Sequence, residues 1–251
     1  MSGGDRAAPR GRGARRPAGE GRRGGGDTVL IVAAHPDDEV LGCGGTVARL
    51  AAEGHDPYIA ILGEGVTSRY AKRRQADRAM VEALRQQCRA AASTIGARDL
   101  FLYDLPDNRF DTLPLLEVVK IVEALIARLR PRVLYTHHPG DLNVDHCVTF
   151  RAALTAARPV PGCAVRELYT FETPSSTEWS FGGGQRFNPT VFVDIGATLP
   201  AKLAALALYD GEVRPFPHPR SNDAVTAIAR RWGSVAGVHA AEVFELIRKV
   251  C

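Results

Sequence analysis

Residues 35–39, His35-Pro36-Asp37-Asp38-Glu39, place one imidazole and three carboxylates in five consecutive positions. Acids packed this closely repel one another unless a cation neutralises them, and His with Asp makes a good donor pair for zinc. His35 and Asp38, three apart across a tight turn, can face one ion. Asp37 projects differently and stays free to handle protons. A second group follows at Thr136-His137-His138-Pro139-Gly140-Asp141-Leu142-Asn143-Val144-Asp145-His146. Three histidines, two aspartates and an asparagine exceed what a turn requires. One of these histidines would complete a three-ligand site with an open position for water, the catalytic rather than the structural form of zinc coordination. An Asp-Asp-Glu run before a helix can also merely complement the helix dipole. That suffices for any one residue but not for the whole cluster directly after a buried strand.

The elements that must position these groups are legible around them. Residues 29–34 form a short continuous apolar run, the pattern of a strand buried on both faces, and 132–136 reads as another. Both clusters then sit at the carboxyl ends of strands, where open α/β sheets keep their ligands. Further strands are expected at 57–62 and 100–103, with helices at 40–53, 71–95 and 113–130, the last stopped by Pro131. This alternation predicts an α/β chain, a single Rossmann-like domain whose mostly parallel sheet is flanked by helices on both faces. Gly42, Gly44 and Gly45 open the first helix without the register of a dinucleotide-binding fingerprint. Beyond residue 160 the pattern loosens. It suggests strands at 165–172 and 190–194, helices at 199–209 and 222–232, Ser221 as an N-cap, and a closing helix at 239–249.

Loops on the same edge supply candidate substrate contacts. Arg69 follows the second strand, Asp107 lies in an acceptor-rich turn after the third, and Trp179 stands in a hydroxyl-rich segment that suits a sugar face. Arg220 lies in the proline-rich stretch 214–221.

The whole chain carries +4. Seven arginines against Asp5 and Glu20 give residues 1–26 a charge of +5, so residues 27–251 carry −1. The basic charge therefore belongs to a Gly/Arg-rich leader, expected to be disordered, ahead of one domain over 27–251. The anionic clusters of the near-neutral domain repel phosphate, so no nucleic-acid partner is expected. No segment approaches the roughly 18 apolar residues of a membrane span. The five cysteines (43, 88, 147, 163 and 251) are scattered and odd in number, which argues against a disulfide framework and for a reducing, cytoplasmic setting.

Ala34-His35-Pro36-Asp37-Asp38-Glu39 followed by Gly42-Cys43-Gly44-Gly45-Thr46 resembles the signature of the PIG-L/LmbE-like zinc N-deacetylases. Leu105-Pro106-Asp107 and Asp145-His146 follow in that family's order. Pro217-His218-Pro219-Arg220-Ser221 and Ala241-Glu242-Val243-Phe244 look like one bacterial branch of it. The resemblance implies Zn2+ held by His35, Asp38 and His146, with Asp37 as general base in the hydrolysis of an N-acetylated amino sugar or GlcNAc-containing small molecule. One departure stands out. Many relatives have His-Pro-Asp-His where this chain has Asn143-Val144-Asp145-His146, which leaves oxyanion stabilisation to Asn143, His138 or His218. Two rivals stand beside this reading: a metal-dependent phosphoesterase, and a non-enzymatic nucleic-acid-binding protein using the basic leader.

Overall fold

The computed structural model describes residues 25–69, 77–182 and 184–251. The leader expected over 1–26 falls almost wholly outside them, as do residues 71–76 of the helix expected at 71–95. The described chain runs β1 (Thr28–Ala33), α1 (Asp38–Ala52), β2 (Asp56–Gly63), α2 (Arg78–Thr94), β3 (Asp99–Leu105), α3 (Leu115–Leu129), β4 (Val133–His137), α4 (Val144–Ala156), β5 (Glu167–Phe171), β6 (Val191–Asp194), α5 (Leu199–Leu206), α6 (Asn222–Ala236) and β7 (Ala241–Lys249). One seven-stranded sheet has the order β3-β2-β1-β4-β5-β7-β6. β1 to β5 are parallel, and β7 runs antiparallel to both its neighbours.

β1 explains the two-sided burial. Val29, Ile31 and Ala33 enter one core with residues of α1, α2, α5 and α6. Leu30, Val32 and Ala34 enter another with α3 and α4. With both faces covered, an uninterrupted apolar run is the pattern expected of such a strand. After β1 the chain adds β2 and β3 to one side, then crosses to place β4 on the other, so the sheet reverses its order at β1/β4. Their register runs from Val29↔Val133 to Ile31↔Tyr135 and goes no further. Beyond it the strands part and side chains bridge the gap: Thr136 Oγ1 donates to Val32 O (3.1 Å) and Ala34 N donates to His137 Nε2 (2.9 Å). This crevice at the switch point is where both ionisable clusters arrive.

The closing element corrects the sequence expectation. Residues 241–249 are strand β7, not a helix. β7 is inserted between β5 and β6, and Ala241 to Glu245 are buried in succession, Glu242 and Glu245 included. Burial on both faces erases the alternation that marks a strand, while Glu, Leu, Arg and Lys read locally as helix formers. Ser221 caps α6 as expected, accepting from Ala224 N at 3.0 Å.

Candidate active site

His35, Asp38 and His146 converge at the crevice with donor atoms within 4.8 Å of one another. Asp38 Oδ2 lies 3.3 Å from His35 Nδ1 and 3.1 Å from His146 Nε2. Two donors on one tetrahedral ion with bonds of about 2.0–2.1 Å stand about 3.3 Å apart, so these spacings fit a small divalent cation. The polar bookkeeping agrees, since buried Asp38 Oδ1 has no hydrogen-bond partner. Burial opposes a charged imidazole, yet hydrogen bonds to Asp145 and Asp38 lift His35 to about 10. His146, likewise opposed by burial, is lifted to about 9 by Asp38 and Asp141. A pocket that draws protons onto two histidines is a pocket built for positive charge.

Each of these histidines has its far nitrogen turned to a carboxylate. His35 Nε2 lies 2.9 Å from Asp145 Oδ2, whose other oxygen accepts Phe110 N at 2.8 Å. His146 Nδ1 lies 3.1 Å from Asp141 Oδ1, within ion-pair reach. Asp141 is gripped in turn by the hydroxyls of Ser176 and Thr177 and by Asn143 N. Burial would raise its pKa, but His146 and those hydroxyls hold it at about 2. A carboxylate behind a ligand histidine fixes its tautomer and ring orientation. His137 does not join the set. Its Nε2 is spent on Ala34 N, and burial, with His146 stacked on it at 3.9 Å, holds it well below the usual imidazole pKa. His138 bridges Glu245 Oε2 (2.8 Å) and Gln185 O (2.7 Å), away from the cluster.

Asp37 is set apart by its backbone. It holds φ 93° at the N-cap position of α1 without capping through its side chain. Its Oδ2 instead accepts Arg220 Nη1 at 2.6 Å, and Arg220 is anchored by Ser175 Oγ (2.7 Å) and Glu212 Oε2 (3.3 Å). Burial raises the Asp37 pKa well above the carboxylate norm, Arg220 pulls it back, and Asp38, Glu212 and Glu39 push it up again. Neighbouring Glu39 accepts the Tyr209 hydroxyl and Asp37 N, and burial pushes it to about 7.

The remaining candidates divide. Asn143 is the N-cap of α4: Oδ1 accepts Asp145 N (2.9 Å) and Nδ2 donates to Asn108 Oδ1 (3.0 Å). His218 Nδ1 accepts Arg220 N (3.1 Å), so the proton belongs on Nε2. Burial and the charges of Arg220 and Arg214 lower its pKa. Trp179 stands edge-on to His218 at 5.9 Å and is 39 % exposed. Asp107 accepts Ser68 N and Oγ, and its other oxygen lies 3.5 Å from His35 Nε2. Arg69 closes the short 3-10 turn Thr67–Arg69, its side chain outside the described part. Arg220, expected as a substrate contact, is committed to Asp37. Asp141, Asp145, Ser176 and Thr177 stand behind the histidines with no signal in the sequence for that role beyond the place of both aspartates in the second cluster.

Comparison with known proteins decides the family. The family model described as "PIG-L: GlcNAc-PI de-N-acetylase" matches residues 30–157, just over half of the chain. This chain belongs to the PIG-L family. It is 29% identical over 192 residues to "Uncharacterized deacetylase YaiS" of Escherichia coli, spanning 71% of this chain and 88% of that protein. It is 27% identical over 241 residues to the "1D-myo-inositol 2-acetamido-2-deoxy-alpha-D-glucopyranoside deacetylase" of Mycolicibacterium smegmatis, spanning 77% and 82%. A crystal structure of GalB, a 4-carboxy-2-hydroxymuconate hydratase from Pseudomonas putida, shares the fold at TM-score 0.72 and 22% identity, covering 90% of this chain and 98% of that one. The same fold thus carries other reactions. Membership of the family, not the fold, makes this PIG-L chain a deacetylase, a hydrolase of amides. Among its described residues no helix is long and apolar enough to cross a membrane, and all five cysteines are free.

Proposed function

We propose that this deacetylase removes the acetyl group from a GlcNAc-containing small molecule, using one zinc ion held by His35, Asp38 and His146 and Asp37 as general base. The observation that carries this reading is the division of labour between adjacent aspartates: Asp38 turns into the histidine pair, whereas Asp37 turns away to Arg220. When bound, such an ion supplies Lewis-acid polarisation of the amide carbonyl and acidifies a water toward pKa about 7.

The chain's own residues do the rest. Asp145 and Asp141 orient the two histidines. Asp37, clamped along one edge by Arg220, takes the proton of the attacking water and returns it to the leaving amine. Its raised pKa suits both halves of that transfer. The Nε2–H of His218 serves as the oxyanion donor, since its other nitrogen is occupied and the ring is held neutral. The amide of Asn143 is already engaged with Asn108. Trp179, edge-on beside His218, offers the sugar a stacking platform, and Asp107, beside His35, a hydrogen-bond acceptor. The Mycolicibacterium smegmatis relative named above supports the substrate class. The phosphoesterase and nucleic-acid readings find no such support.

The test joins metal and product. Elemental analysis should find one zinc per chain, and mass spectrometry of N-acetylated amino sugars should show loss of acetyl by the loaded enzyme. His35→Ala and His146→Ala should lose both. Full activity in chelator-treated, metal-free protein would sink the assignment.

A further inference from the structure

Helix α1, whose first turn carries Asp38, is not continuous. Cys43 has φ −150° and ψ 21°, a non-helical conformation inside the helix. In an unbroken helix Gly45 N–H would donate to Leu41 O and Thr46 N–H to Gly42 O. Here both amides donate to Glu242 of β7 instead, Gly45 to Oε1 at 2.9 Å and Thr46 to Oε2 at 2.6 Å. The freed carbonyl of Leu41 accepts Lys202 Nζ of α5 at 2.7 Å, and the same ammonium binds Glu242 Oε1 at 2.6 Å. Both side chains are buried, 5 % and 4 % exposed. An ion pair from two distant elements is thus spliced into the break. Its carboxylate caps the second helical segment and its ammonium terminates the first.

We infer that Lys202 and Glu242 are positioning residues for the metal-binding turn: by satisfying the backbone groups freed at Cys43, they let residues 37–42 be set independently of the helix that follows. A continuous helix would tie the direction of Asp38 to the axis of residues 44–52, which is dictated by packing against the sheet. Close packing makes the break specific. A Cβ on Gly42 would lie 2.2 Å from the Phe171 ring, and one on Gly45 2.9 Å from Ile195. Because the pair bonds to the backbone of α1 and to none of His35, Asp38 and His146, its hold on the metal site passes through the backbone. The inference rests on the metal reading above.

The experiment measures metal affinity without turnover. Zinc competition against a chromophoric chelator and the visible spectrum of the cobalt-substituted protein are recorded for wild type, Lys202→Met, Glu242→Gln and Leu125→Ala. Leu125 is a buried core residue on the opposite face of the sheet, so its variant reports loss of stability alone. Lys202→Met and Glu242→Gln should each weaken zinc binding about tenfold or more, the scale of an outer-shell support, and should shift the cobalt bands. Leu125→Ala should lower Tm and change neither. Unchanged affinity and spectrum in both charge variants, or an equal loss in Leu125→Ala, overturns the inference. If the charge variants do not fold, amide exchange in the wild type decides: zinc must slow Gly45 and Thr46 more than the amides of α3, and equal slowing overturns it. A wild-type chain that binds no zinc overturns the site assignment itself, a result distinct from the others.

Discussion

Residues 28–157 and residues 158–251 contribute to the same site in different ways. The first region, nearly the span of the family match, delivers every proposed metal ligand and the proposed base from two adjacent strand ends. The second delivers no proposed ligand. It supplies Ser176 and Thr177 to Asp141, Arg220 to Asp37, Tyr209 to Glu39, and Lys202 with Glu242 to the break in α1. The first region proceeds by regular βα units. The second wanders through loops before β7 returns antiparallel between β5 and the edge strand β6. A regular scaffold can bring donors to one edge, but holding them at bonding distance takes contacts from outside it.

Substitutions can break that contrast or sharpen it. The largest effect should come from the first region. Asp37→Asn keeps the metal and loses about 10²–10⁴-fold in turnover; loss of zinc comparable to Asp38→Asn would reverse the two roles. Next is His218→Ala in the second region, expected to cost about 10²–10³-fold in kcat at unchanged zinc content and nearly unchanged KM. If that region were only a frame, this variant would lower Tm and leave kcat alone. Arg220→Gln tests the electrostatic part. The guanidinium lowers the Asp37 pKa, so removing it raises that pKa, and the acid limb of the pH–rate profile should move to higher pH. A limb that stays put would uncouple Arg220 from the base. The smallest effect falls to Asn143→Ala. Loss of an N-cap costs about 1 kcal/mol, or about 2–4 °C in Tm for a chain of this size, with kcat changed less than about tenfold; a larger fall in kcat would return the oxyanion role to Asn143.

The contrast also explains which parts of the molecule could be foreseen. That His35, Asp38 and His146 would come together could be foreseen, because the first two follow directly on β1 and the third opens the helix after neighbouring β4, and because their types share one chemistry. The parallel sheet followed from the same strands. Glu242 and Lys202 were hidden. Their roles depend on a helix break at Cys43 that has no local signature beyond its glycines, and on a strand whose buried glutamates disguised it as a helix. Arg220 was noticed as a substrate contact, but its bond to Asp37 was hidden, since the two lie 183 residues apart in sequence. Supports of this kind are tertiary facts, set by which element packs against which.

The left-handed backbone of Asp37 has a consequence of its own. A non-glycine residue held at φ 93° carries local strain of about 1–3 kcal/mol, and glycine would adopt the same conformation freely. Stability and activity therefore select in opposite directions at this position. A library screened only for resistance to heat should accumulate glycine at position 37, and the clones that survive best should be those that have stopped turning over substrate. In a lineage released from selection for catalysis, the same drift would leave a well-folded binder of metal with no chemistry left to perform.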